Sequence, residues 1–226
     1  MADCNDVVYL VDVDNTLLDN DRVSSDLRDK LAQDFGKECE EQYWQILEQL
    51  RTELGYADYL GALQRYRLSH MHDPDILLMS SFLVDYPFAD RFYPRAVEAL
   101  QKLKTLGRTA ILSDGDVVFQ PRKVERSGIA ALLEGHVLIY IHKERELDDV
   151  EQKYPAAHYF LIDDKLRILA AVKRIWGERV TTVFVKQGHY AHDEQEIAKY
   201  PAADITLGGI GDILTHDAFK QPITRL

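Results

Sequence analysis

Residues 7–19 read VVYLVDVDNTLLD, and this stretch decides the fold. Val7 to Val11 are apolar and rich in β-branched and aromatic side chains, the pattern of a short strand buried on both faces inside a parallel sheet. Asp12 and Asp14 follow at once, with Asn15 and Thr16 behind them, so two acids leave the carboxyl edge of the strand in an irregular turn. Open α/β sheets gather their ligands at that edge. Two carboxylates so close repel each other and resist desolvation unless a cation lies between them, and a hard divalent ion such as Mg2+ takes oxygen ligands of this kind. An EF-hand calcium loop is excluded, because its required Gly is Leu17 here and its closing Glu is Val23.

Outward from this turn the chain changes style twice. From Asp19 to Tyr86 apolar residues recur at helical spacing: Leu27, Leu31 and Phe35, then Tyr43, Leu47, Leu50 and Leu54, then Tyr59, Leu63 and Tyr66, then Ile76, Met79 and Phe82. Ser24 and Ser25 offer an N-cap for the first helix, Gly36 and Gly55 stops, and Asp73-Pro74 a start for the fourth. Four helices in succession predict an inserted helical domain, residues 19–86. From Pro87 onward strands and helices alternate, with strands at 109–112, 137–141, 158–162, 180–185 and 205–207. That alternation predicts a doubly wound parallel sheet, a Rossmann-like α/β core made of residues 1–18 and 87–226. A polar helix is expected at 193–200 and a last one at 210–214.

Composition narrows the function. The 226 residues carry 27 Lys and Arg against 38 Asp and Glu, a net charge of -11, which disfavours nucleic acid or an anionic membrane as partner and favours a small molecule. Cys4 and Cys39 are the whole cysteine complement, too few for a disulfide framework or a zinc site, so a reducing cytoplasm is expected. No apolar run approaches the length that spans a bilayer.

The strand ends can then be taken together. Asp12 and Asp14, Ser113, Lys143, and Asp163 with Asp164 each stand at or just past the carboxyl end of a strand, and one crevice would collect them. Four carboxylates, a hydroxyl and an ammonium suit a divalent cation that must meet a phosphate dianion. DVDNT, the Ser of ILSDGD, Lys143 and LIDDK, in that order, resemble the four motifs of the haloacid dehalogenase (HAD) superfamily, and the helical insertion is similar to that family's C1 cap.

The resemblance implies a phosphatase acting on a small phosphorylated metabolite through an aspartyl-phosphate. Asp12 would be the nucleophile and Asp14 the general acid and then base, its pKa raised by the surrounding acids. Mg2+ would be held by Asp12, the Asp14 backbone carbonyl and an acid of the fourth motif, Asp164 in preference to Asp163. Ser113 and the amides of Asp114 and Gly115 would bind phosphoryl oxygens, Lys143 would neutralise charge, and Thr16 would brace the turn. Dehalogenating relatives have no acid/base Asp at the place of Asp14, which favours phosphoryl chemistry. Lys123 is expected as a surface lysine of the helix after the second motif, and His189 and His192 as part of a mobile polar loop.

Overall fold

The computed structural model describes residues 7–72 and 76–220. Within them six parallel strands form one sheet: β1 (Val7–Val11), β2 (Arg108–Asp114), β3 (Val137–Tyr140), β4 (His158–Asp163), β5 (Val180–Val185) and β6 (Ile205–Leu207), in the spatial order β3-β2-β1-β4-β5-β6. The α/β architecture expected from the sequence is present. The chain winds outward from β1 to β3, crosses back to β4 on the other side of β1, and continues to β6. The winding therefore reverses between β1 and β4, and this is where sheets of the kind open a crevice. Val11 pairs with Ile111 on one side and Ile162 on the other, so the carboxyl ends of the three central strands finish level.

All five residues of β1 are buried, and they alternate between two cores. Val7, Tyr9 and Val11 face the layer that continues into the insertion, whereas Val8 and Leu10 face the opposite layer. The insertion consists, among the described residues, of α1 (Asn20–Phe35), α2 (Lys37–Leu54), α3 (Tyr59–Ser69) and α4 (Ile76–Val84). Then follow α5 (Ala96–Leu106), α6 (Phe119–Arg126), α7 (Ile129–Leu132), α8 (Leu147–Lys153), α9 (Leu166–Trp176) and α10 (Glu194–Ile197). Helices α8 and α9 pack on the Val8/Leu10 face.

Helix α1 begins earlier than the Ser24–Ser25 cap would place it. Asp19 is the cap, its carboxylate accepting the Arg22 amide at 2.9 Å. Asn15, in a left-handed conformation that Asn tolerates (φ 59°), accepts the amides of Asn20 and Asp21 on its side-chain oxygen, so the acidic turn feeds straight into the helix. Ser24 sits inside the helix and shares a hydrogen bond with the Tyr59 hydroxyl. The expected start at Asp73-Pro74 lies outside the described residues. The chain leaves the sheet and returns to it side by side: the Asp19 amide donates to the Arg91 carbonyl and the Tyr93 amide to the Leu17 carbonyl. The expected polar helix at 193–200 is a single turn, α10, and residues 210–214 form a 3-10 turn whose Asp212 carboxylate holds the Gly208 and Gly209 amides.

Candidate active site

Asp12 leaves β1 with its amide bonded to the Ile162 carbonyl at 3.0 Å, which locks it between β1 and β4. It is 4% exposed. The Lys143 ammonium, carried past the end of β3 on a 3-10 turn, reaches over β2 to lie 2.5 Å from Asp12 Oδ1 and 2.6 Å from Asp163, and it donates to the Leu112 carbonyl at 3.1 Å. Ser113 and Thr16 donate their hydroxyls to the two oxygens of Asp12 at 3.4 and 3.3 Å. Burial opposes the charge on Lys143, but Asp12, Asp163 and Asp114 outweigh it and hold its pKa above the ordinary lysine range. The Asp114 carboxylate accepts the Lys143 amide at 2.7 Å and so fixes the turn that presents the ammonium. Burial raises the pKa of Asp114 even against the pull of Lys143.

Asp12, Asp163 and Asp164 bring ligand oxygens within 4.8 Å of one another, all three residues buried, a triad that could hold a metal. The two acids of the fourth motif are unlike. Asp163 is spent on Lys143 and on the Lys165 amide, 2.8 Å away. Both Asp164 oxygens are buried and, among the described residues, without a hydrogen bond. Burial therefore pushes the Asp164 pKa well up, despite the neighbouring Lys165. An orphaned carboxylate beside two others is the donor set a hard cation satisfies.

Three expectations need correction here. Lys123 is 1% exposed, and its ammonium lies 2.5 Å from Asp14 and 2.9 Å from the Asn20 side chain. It is no surface lysine: α6 turns Phe119, Gln120, Lys123 and Val124 inward together. Asp14, the expected neighbour of acids, thus faces an ammonium. The Gly115 amide donates to the Tyr140 carbonyl at 2.9 Å and is not free to bind a phosphoryl oxygen. Gly115 is needed for a different reason, since a Cβ there would lie 2.4 Å from that of Gln120, whose amide holds the Ser113 hydroxyl at 2.9 Å. His189, finally, is fastened to the rim: its amide and ring bond Asp21 at 2.7 and 2.6 Å. Gly188 before it, at φ 68°, packs against Asn15 where any Cβ would clash.

Above these groups lies a cleft of about 240 Å3 between the sheet edge and the insertion, lined by Asp14, Asp114 and Lys123 on one side and by Arg51, Tyr56 and Tyr59 on the other.

The family model of haloacid dehalogenase-like hydrolases matches residues 8–175, which includes all four strand ends. The chain belongs to that family. A crystal structure of a haloacid dehalogenase-like hydrolase from Burkholderia xenovorans LB400 is 61% identical to this hydrolase, with a TM-score of 0.90 over 94% of this chain and 99% of the other. An L-2-haloacid dehalogenase from Xanthobacter autotrophicus, with chloropropionic acid covalently bound, shares the fold at 16% identity and a TM-score of 0.59 over 91% and 96% of the two chains. The magnesium-bound HAD-hydrolase YfnB from Bacillus subtilis does so at 14% identity and 0.60, over 92% and 97%. No curated protein matches the chain.

Sequence reasoning missed Gln120 and misplaced Lys123 in this hydrolase. The signal was available for the lysine, which sits four residues after Phe119 and one before Val124, on a helical face otherwise meant for the interior.

Proposed function

We propose that this hydrolase is a Mg2+-dependent phosphatase that cleaves a small phosphomonoester, with the helical insertion (residues 19–86) serving as the cap that encloses it. The observation that carries the reading is the state of the acids. Asp12 is clamped by Lys143, Ser113 and Thr16, while Asp164 beside it has, among the described residues, no hydrogen bond to its carboxylate. A carboxylate held by an ammonium and two hydroxyls presents its oxygen to an incoming phosphorus with little freedom to lose.

Asp12 and Asp164 would hold Mg2+, which when bound neutralises the phosphoryl group and polarises it for attack. Asp12 displaces the alcohol from phosphorus and becomes the aspartyl-phosphate, and the leaving oxygen takes the proton of Asp14. Asp14 is then a carboxylate, paired with Lys123 as in this structure, and in that form it draws the proton from the water that releases phosphate. Lys143 and Ser113 stabilise the charge on the transferring oxygens.

The test is a panel of phosphomonoesters with and without Mg2+. Wild type should turn over at least one, and Asp12→Asn should lower that turnover at least about a thousandfold with its circular dichroism unchanged. Retained turnover in a clean Asp12→Asn sample would sink the assignment, as would release of halide from 2-haloacids with none of phosphate.

A further inference from the structure

The cations at the sheet-edge side of the cleft and beneath it can be paired off one by one. Lys143 meets Asp12 and Asp163, Lys123 meets Asp14, Arg167 meets Glu144 at 2.9 Å, and His189 meets Asp21. Lys165 is left over. It stands directly after Asp164 and lines the cleft, and among the described residues its ammonium has no hydrogen bond or ion pair, only the face of the Tyr190 ring at 5.3 Å. Its strongest electrostatic partner is Asp164, followed by Asp12. Once a cation takes those two carboxylates, their charge is spent and the ammonium must find its anion in the ligand. Arg51 faces the same cleft from α2, and among the described residues its one ion pair is a loose contact of 3.5 Å with Glu48 on its own helix.

We propose that Lys165, assisted by Arg51 from the insertion, forms a subsite for a second anionic group of the substrate, so that the favoured ester carries a carboxylate or another phosphate beside the phosphoryl that reacts. The inference rests on the phosphatase reading for which ester is cleaved, but its geometry is independent of turnover. The phosphoryl group already has Lys143 and Ser113. A second cationic pair, one from the sheet edge and one from the insertion, is surplus for a simple alkyl phosphate and fits a ligand whose two separate anionic groups span both walls.

Binding without turnover tests it. Calorimetry in the presence of Mg2+ compares ethylphosphonate, which has one anionic group, with phosphonoacetate and propane-1,3-bisphosphonate, which have two. Wild type should bind one of the doubly anionic probes about tenfold or more tighter than ethylphosphonate, and which one tells a carboxylate from a phosphate. Lys165→Met should erase the preference, Lys165→Arg should keep most of it, and Arg51→Met should reduce it. Equal binding of all three probes by wild type overturns the subsite, and so does a preference that survives Lys165→Met. Hydrolysis of ethyl phosphate with no such preference would remove the subsite and leave the phosphatase reading standing. A clear preference with no ester turned over would do the reverse.

Discussion

The two walls of the cleft are built on opposite terms. At the sheet edge Asp12, Ser113, Lys143 and Asp163 are all but fully buried, and each is held by another of the set. Across the gap α2 and the segment after it offer Tyr56, Tyr59 and the half-buried Arg51, aromatic surface with a charge whose ion pair, among the described residues, lies along its own helix. Charges that satisfy one another keep their geometry whether or not a ligand is present, whereas the aromatic wall is shaped by packing into the apolar layer it shares with the sheet, Tyr59 against Phe119 of α6. Polar contacts cross between the two at the rim: Lys123 to Asn20, His189 to Asp21, Arg91 to Asp26 and Tyr86, and Arg122 and Arg126 to the chain at residues 84–86. In the function proposed above, the reacting groups sit on the rigid wall, and ligand choice is shared between Lys165 at the sheet edge and Arg51 across from it.

The largest effect should come from emptying the rigid wall. Lys143→Met leaves the buried acids Asp12 and Asp163 without their shared cation. Removing one partner of such a cluster costs about 3–5 kcal/mol. For a chain of this size that is a fall in Tm of roughly 6–20 °C. Arg51→Met, on the opposite wall, should move Tm by no more than about 2 °C. Thermal unfolding of the two variants side by side measures the contrast, and similar shifts would mean that the walls are not energetically different.

Asp164 sharpens the same contrast in the opposite direction. A buried carboxylate without a partner destabilises the protein that holds no cation, so Asp164→Asn should raise Tm in chelator by roughly 2–6 °C. Mg2+ should stabilise wild type in proportion to its occupancy, and this gain should vanish in the variant. A Mg2+-induced shift that persists in Asp164→Asn would place the cation elsewhere.

The same asymmetry governs what could be read in advance. Strand β1, its neighbours and the acids at their ends were legible because a buried strand is a continuous apolar run, and a residue at its carboxyl end has only one edge to occupy. Asp12, Ser113, Lys143 and Asp163 are where that logic puts them. Lys123 was not, because a lysine on a helix defaults to solvent, and its inward direction is set by the packing of α6 beneath α4 and the Asp14 turn. Gly115 illustrates a different limit: the glycine was visible, but whether its amide was free depended on Tyr140, a residue of another strand. The start of α1 differs from expectation for the same reason, since Asn15, five residues before the first residue of the helix, supplies the acceptor for its opening amides.

The smallest effect should lie at the rim. His189 and Asn15 hold the Asp21 carboxylate below the usual range, against the upward push of burial, so the folded pKa is lower than the unfolded one. A depressed carboxylate contributes stability that is present above its unfolded pKa, about 4, and fades as pH falls through the folded value. His189→Ala should therefore shift Tm at pH 7 by only about 1–2 °C and should make wild type and variant converge as acid protonates Asp21. Because that pair closes the core loop onto the first turn of α1, the variant should raise KM more than it lowers kcat. A fall in kcat at unchanged KM would move His189 from the rim to the reacting centre, and the contrast between a charge-locked wall and a packed one would fail at the point where the two meet.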